Sequence, residues 1–290
     1  LGTEVVIKRI LVRDRDKARG LDVAQDCLTT DASTITHSKD IDLVIEVMGG
    51  IEPAKAYVED DLRQGKHVVT ANKDLLAKHG VYLTELAREK GCDLYYEASV
   101  GGGIPIIRSL VDGLVSDHIT KMLGIVNGTT NYILTQMTEQ GTSYKDALEE
   151  AQRLGFAEPD PTSDVEGYDA ARKMVILSSL GFSMPVSYED VYVQGISHLT
   201  AEDIKFAGQL GYVFKLIGYA ARDNNDHIEV SVQPTLVPNS HPLASVSNEY
   251  NAVYVFGEAV GQTMFYGPGA GSFPTATSII SDVVSVIRNM

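Results

Sequence analysis

Four short apolar runs alternate with helical stretches along the first 105 residues, and this alternation constrains the fold more than any other feature. The runs cover residues 5–12, 43–48, 67–71 and 94–98. Between them, Pro53 opens a helix that ends near Gly65, and residues 81–90 read as a helix stopped by Gly91. Short strands separated by helices imply βαβ crossovers and a parallel sheet covered on both faces. Ligands of such sheets bind beyond the carboxyl ends of the strands.

From residue 106 the pattern changes. Helices are expected over 106–115, from Ser143 to Leu154 with Gly155 as stop, after the Pro159/Pro161 pair as far as Gly181, and from a capping box at Thr200. A strand is expected over 121–126, and three more over 214–220, 228–236 and 252–260 are spaced for antiparallel pairing with helices on one face. A last helix over 274–290 should bury Ile279, Ile280, Val283 and Ile287. The expected fold class is α/β: an incomplete doubly wound, Rossmann-like parallel sheet plus an α+β domain. The nucleotide-binding domain would take residues 1–105, completed by helix 274–290. Residues 106–273 would form the substrate-binding and dimerisation domain.

A doubly wound sheet that binds a dinucleotide carries G-x-G-x-x-G after its first strand. Neither the Gly101-Gly102-Gly103 run nor residues 267–271 have that spacing. Arg13 and Asp14 look like the charged end of a second strand, and four residues before Val5 leave no room for a first. The expectation is a longer physical chain with a nucleotide half looser than the substrate half.

Composition excludes several classes. Lys and Arg number 24 against 39 Asp and Glu, a net charge of −15, so nucleic acid and anionic membranes are poor partners. No apolar run reaches the ~18 residues needed to span a bilayer. The two cysteines, Cys27 and Cys92, and the scattered histidines match no metal-ligand spacing. A cytoplasmic, anionic globular protein is expected.

Several segments can carry chemistry. Residues 156–173 pack Glu158, Asp160, Asp164, Glu166 and Asp169 ahead of Arg172 and Lys173. Asp169 and Lys173 share one helix face, where the carboxylate can orient the ammonium and tune it for proton transfer, or form an ordinary surface pair. Lys73 follows an expected strand and meets a ligand there or stays solvated. Glu97, followed by three glycines, suits a hard monovalent cation or a tight turn. Residues 127–131 (NGTTN) either cap a helix or offer amides to an anion. Residues 267–271 can touch a nicotinamide or phosphate, or form only a flexible turn.

The segments TANKDLLA (70–77), YEASVGGGIPII (96–107), GIVNGTTNYIL (124–134), LGFAEPDPTSDVEGYDAARK (154–173) and MFYGPGAG (264–271) resemble bacterial homoserine dehydrogenases, in order along nearly the whole chain. The resemblance implies interconversion of L-homoserine and L-aspartate 4-semialdehyde with NAD or NADP, on the route to threonine and methionine. It implies Lys173 as proton donor or acceptor and Lys73 between nicotinamide and substrate. Glu158 and Asp169 would bind homoserine, with Asp164 a second contact. Glu97 and the carbonyls of Val100, Gly102 and Ile104 would hold sodium or potassium. Gly155 and Gly271 would approach the cofactor. Phe156 stands where some members have tyrosine. Many members also carry a C-terminal regulatory domain of the ACT type, which would begin where the sequence stops at Met290.

From the residues themselves, Gly49 and Gly50 are a further candidate phosphate site. Arg13 and Arg15 favour a 2′-phosphate, whereas Asp14 favours a 2′-hydroxyl, so NAD and NADP both stand. A homodimer or homotetramer is expected, paired through the antiparallel strands. The alternative function is a non-catalytic module of the same fold that binds a small amino acid. A nucleophilic semialdehyde dehydrogenase would need a catalytic cysteine, and Cys92 has no fitting motif.

Overall fold

The parallel strands form, but in two separate sheets. The computed structural model describes residues 2–17, 19, 20 and 23–290. They divide into two units, one running to Tyr96 and including Ile279–Met290, the other Glu97–Ser278.

In the first unit β1 (Ile10–Leu11) pairs in parallel with β2 (Leu28–Thr29), and α1 (Ser33–Thr36) follows. Then come β3 (Leu43–Glu46), α2 (Ala54–Arg63), β4 (His67–Thr70), α3 (Lys73–Lys90) and β5 (Leu94–Tyr95). The second sheet has the parallel order β3-β4-β5. Both sheets pair in parallel, as in a doubly wound fold.

β4 is buried on both faces. Val68 packs with Val58, Leu62, Leu75 and Leu83, and Val69 with Val283 and Val286 of the last helix. Each such aliphatic side chain contributes roughly 1.5–3 kcal/mol on full burial. The sequence expectation of one strand over 5–12 is corrected: only Ile10 and Leu11 pair, and Val5, Val6 and Ile7 stay exposed. An apolar run without a partner ladder has nowhere to place its backbone hydrogen bonds. α3 starts at Lys73 rather than Val81, because Asn72 Oδ1 accepts the Leu75 amide and caps it.

The second unit opens with a short α4 (Ile106–Arg108) that passes into a π turn, where one longer helix was expected. β6 (Ile119–Ile125), α5 (Gly128–Gln140), α6 (Tyr144–Leu154), α7 (Thr162–Val165) and α8 (Tyr168–Gly181) follow. The helix expected after the prolines is broken at Gly167, whose φ of 82° is left-handed. Then come β7 (Tyr192–Val193), α9 (Ala201–Gln209), β8 (Tyr212–Arg222), β9 (Ile228–Pro238), β10 (Tyr250–Gly257) and β11 (Gly261–Pro268). The last helix is α10 (Ser272–Asn289). Ile280 on it is exposed, not buried as its spacing suggested.

The six strands order β11-β10-β6-β8-β9-β7, antiparallel except for β7 beside β9. β11 was not anticipated from the sequence. α8 lies close against the sheet because β6 and β8 carry glycines beneath it. A Cβ on Gly218 would come within 2.4 Å of Met174, and one on Gly124 within 3.3 Å of its sulfur.

The strap between β9 and β10 lays Leu243 and Val246 over Ile125, Ile217 and Tyr254. Asn131 pins it to α5: its Nδ2 donates to the carbonyls of Val246, Asn248 and Tyr250 at 3.2, 2.8 and 3.1 Å. Buried Lys215 donates to Asn131 Oδ1 and to the Val246 carbonyl. Among the described residues, no helix is long and apolar enough to cross a membrane.

Candidate active site

The end of β6 positions the chemistry of the second unit. Beyond Ile125 the chain stays extended at Asn127, the N-cap of α5. Asn127 Oδ1 accepts from the Thr130 amide and the Thr130 hydroxyl, both at 2.9 Å. That fixes the side chain, so its Nδ2 faces the other way. There it donates to Asp164 Oδ1 at 2.7 Å and Asp169 Oδ2 at 2.9 Å.

Asp169 sits in the first turn of α8, where the helix dipole favours a negative charge. Lys173 lies one turn on, its Nζ donating to Asp169 Oδ2 at 2.7 Å and to the Val126 carbonyl at 2.8 Å. The two side chains are only 13% and 9% exposed, so this is not a solvated surface pair.

Burial pushes the Asp164 carboxyl above the usual carboxylate range. The Asn127 amide opposes the shift, the Asp169 charge adds to it, and Lys173 opposes it. A buried ammonium held by one carboxylate and one carbonyl, with a second carboxylate alongside, is a unit that can give or take a proton at a substrate oxygen.

The remaining candidates of this unit lie as follows. Glu158 is exposed, and among the described residues its carboxylate meets no partner; its backbone carbonyl accepts from Gln152 at 3.2 Å. Gly155 is the left-handed C-cap of α6. Phe156 packs on Tyr132 with ring centroids 4.8 Å apart. Gly271, with φ 121°, precedes α10.

Glu97 is buried, and its two oxygens accept the amides of Ile107 and Arg108 at 2.8 Å each. Nearby, the Gly102 carbonyl accepts from Ser278 Oγ at 2.6 Å and the Ile104 carbonyl from the Ile106 amide at 2.8 Å. Val100 is fully buried. The donors are all oxygens, and each carbonyl and carboxylate oxygen keeps a second lone pair. Such a set suits a hard monovalent ion. Among the described residues there is no metal-competent cluster of three or more His, Cys, Asp or Glu. Gly102 is irreplaceable here, since a Cβ on it would lie 2.5 Å from the Gly269 carbonyl oxygen.

In the first unit, the carboxyl ends of β3 and β4 are tied together. Buried Glu46 accepts from Thr70 Oγ1 at 2.6 Å and the Met48 amide at 2.7 Å, and Asn72 Nδ2 donates to the Gly50 carbonyl at 2.7 Å. Gly49 and Gly50 are left-handed (φ 75° and 72°) and exposed, with no atom within 4 Å of where a Cβ would sit. This open backbone fits a nucleotide's phosphates or ribose. Lys73 is half-buried at the first position of α3. Arg13 is exposed.

Sequence reasoning placed Asn127 as a cap and left its second function unseen. It also missed the Val126 carbonyl, because a main-chain acceptor leaves no trace in residue type.

The family model for homoserine dehydrogenase matches residues 105–284, and that for the homoserine dehydrogenase NAD-binding domain matches residues 2–97. A homoserine dehydrogenase of Bacillus subtilis is 61% identical over 290 residues, covering 100% of this chain and 67% of that protein. The crystal structure of a homoserine dehydrogenase from Thiobacillus denitrificans superposes with a TM-score of 0.93 at 48% identity, over 97% of this chain and 65% of that one. A hyperthermophilic archaeal homoserine dehydrogenase in complex with NADPH superposes at 0.77 with 26% identity, over 90% of this chain and 76% of that one. The chain thus spans about two thirds of the length of the relatives from Bacillus and Thiobacillus. With both family models matched in order along the chain and the acid–lysine unit assembled on α8, the chain belongs to the homoserine dehydrogenase family of NAD(P)-dependent oxidoreductases.

Proposed function

We propose that this chain catalyses the reversible, NAD(P)-dependent oxidation of L-homoserine to L-aspartate 4-semialdehyde. The observation that carries the reading is the buried Lys173 ammonium held between Asp169 Oδ2 and the Val126 carbonyl.

Toward the alcohol, Lys173 gives its proton to the aldehyde oxygen; in the reverse direction the amine takes the hydroxyl proton. Glu158, exposed and unpaired among the described residues, binds the amino group of homoserine together with Asp169, and Asp164 supports them. Lys73 serves the reacting end of the substrate from its place after β4. The nicotinamide supplies the hydride acceptor or donor when bound. Arg13, Gly49, Gly50, Lys73, Gly155 and Gly271 are the residues assigned to hold the cofactor. The archaeal relative described with NADPH supports a phosphorylated cofactor for that protein, and Arg13 gives this chain a cation suited to the same choice.

Glu97 with the carbonyls of Val100, Gly102 and Ile104 holds a sodium or potassium ion. The working unit is a homodimer or homotetramer in the cytoplasm.

The test is to incubate the purified protein with L-homoserine and NAD⁺ or NADP⁺ while following reduced nicotinamide. Turnover that needs both substrates is expected and should weaken when alkali ions are replaced by an organic cation. Binding of homoserine without turnover in any cofactor would overturn the reading in favour of a non-catalytic binding module.

A further inference from the structure

The choice of asparagine at position 127 is more specific than helix capping requires. Serine, threonine and aspartate cap helices about as well as asparagine. Asparagine alone among these caps carries an acceptor and two N–H donors on one rigid group. Asn127 uses all of them. The acceptor is spent on Thr130, and the donors go one each to Asp164 and Asp169. The residue is 5% exposed, so water does not stand in for these partners. Its orientation follows from the bonding: the atom facing a backbone N–H must be the oxygen.

Two carboxylates meeting one nitrogen lie close enough to compete for a single proton unless a donor separates them. Lys173 from α8 also acts on both carboxylates, and Thr129 of α5 lies beside Asp164 while its hydroxyl donates to the Phe156 carbonyl. Lys173 bonds Asp169, whereas Asp164 takes its hydrogen bond from Asn127. The backbone of Asn127 is held in turn, because its carbonyl accepts the amide of Asn131, whose side chain is locked to the strap.

Resting on the function proposed above, we propose that Asn127 is a positioning residue of the reaction, whose amide holds Asp164 and Asp169 apart in the ionised state and so keeps Lys173 in working geometry. Without that amide the two aspartates share a proton. Asp169 then no longer holds Lys173 in place on the acid side of neutrality.

The experiment compares Asn127→Ser and Asn127→Asp with the parent protein in the homoserine assay. Both variants keep an N-cap acceptor and remove the two donors. Asn127→Ser is expected to keep its melting temperature and its KM for NAD(P). Its kcat should fall about tenfold to hundredfold, the usual weight of a residue that orients catalytic groups. The acid limb of its pH–rate profile should move to higher pH. Asn127→Asp adds a third carboxylate, so it should be slower than Asn127→Ser at neutral pH and recover as the pH falls toward the acid limb. Unchanged kcat and an unmoved pH profile in Asn127→Ser would overturn the positioning role. So would losses in both variants that merely track a fall in melting temperature. A parent protein that turns over no homoserine strikes the proposed function instead, and the two failures are read from different samples.

Discussion

Asp169 and Lys173 stand one helical turn apart on α8, with Asp169 Oδ2 and Lys173 Nζ 2.7 Å apart. The carboxylate is N-terminal to the ammonium, the order that also suits the helix dipole. Because the same ammonium reaches the Val126 carbonyl, the pair is anchored to the end of β6 as well as to its own helix.

When Lys173 is removed, Asp169 still accepts from Asn127, so the fold can survive its loss. Lys173→Ala should keep the fold and lose about 10²–10⁴-fold in kcat, the weight of a positioned proton-transfer group. Steady-state kinetics with a circular dichroism control checks this, and near-normal turnover would remove Lys173 from the chemistry.

Glu158 is exposed, and no described residue pairs with its carboxylate, so its replacement costs little stability, within about 0.5 kcal/mol. Glu158→Gln should raise the KM for homoserine and leave kcat nearly intact, because the residue holds ground state and transition state alike. An unchanged KM would place the substrate's amino group elsewhere.

Asp61 provides a pH test of the first unit. It is 2% exposed, its Oδ1 has no partner among the described residues, and burial raises its pKa from 3.8 to about 7, against the pull of Lys66. The folded protein therefore holds this proton more tightly than the unfolded chain. The residue costs nothing below about pH 3.8, and its cost grows as the pH rises toward 7. Asp61→Asn should leave stability unchanged near pH 4 and increase it by roughly 2–4 kcal/mol above pH 7. Denaturant melts at the two pH values decide it; an equal effect at both would mean that the carboxyl is ionised throughout.

The sequence was most legible where one residue type does one local job. Ser143, Thr200 and the stops at Gly91 and Gly155 cap their helices as expected. The spacing of Asp169 and Lys173 placed both on one helix face, which the structure bears out. Legibility failed where the outcome depends on distant chain. β11 was hidden because its glycines and proline read as a turn, whereas pairing with β10 along its full length holds it extended. Residues 5–7 looked like strand, but composition does not say whether a partner lies alongside. Position 127 looked like a cap because the carboxylates it serves come from 37 and 42 residues further on.

The knot formed by Asn131, Lys215 and the strap has a consequence for how the second unit opens. A helix start, a strand interior and an irregular loop, well separated along the chain, share two buried polar side chains. Lifting the strap strands a lysine whose pKa burial has already lowered to about 8, together with an amide that loses its acceptors. No one of the three segments therefore loosens alone. In native-state amide exchange the strap, the first turn of α5 and the middle of β8 should open as one cooperative block, and the turn that carries Asn127 opens with it.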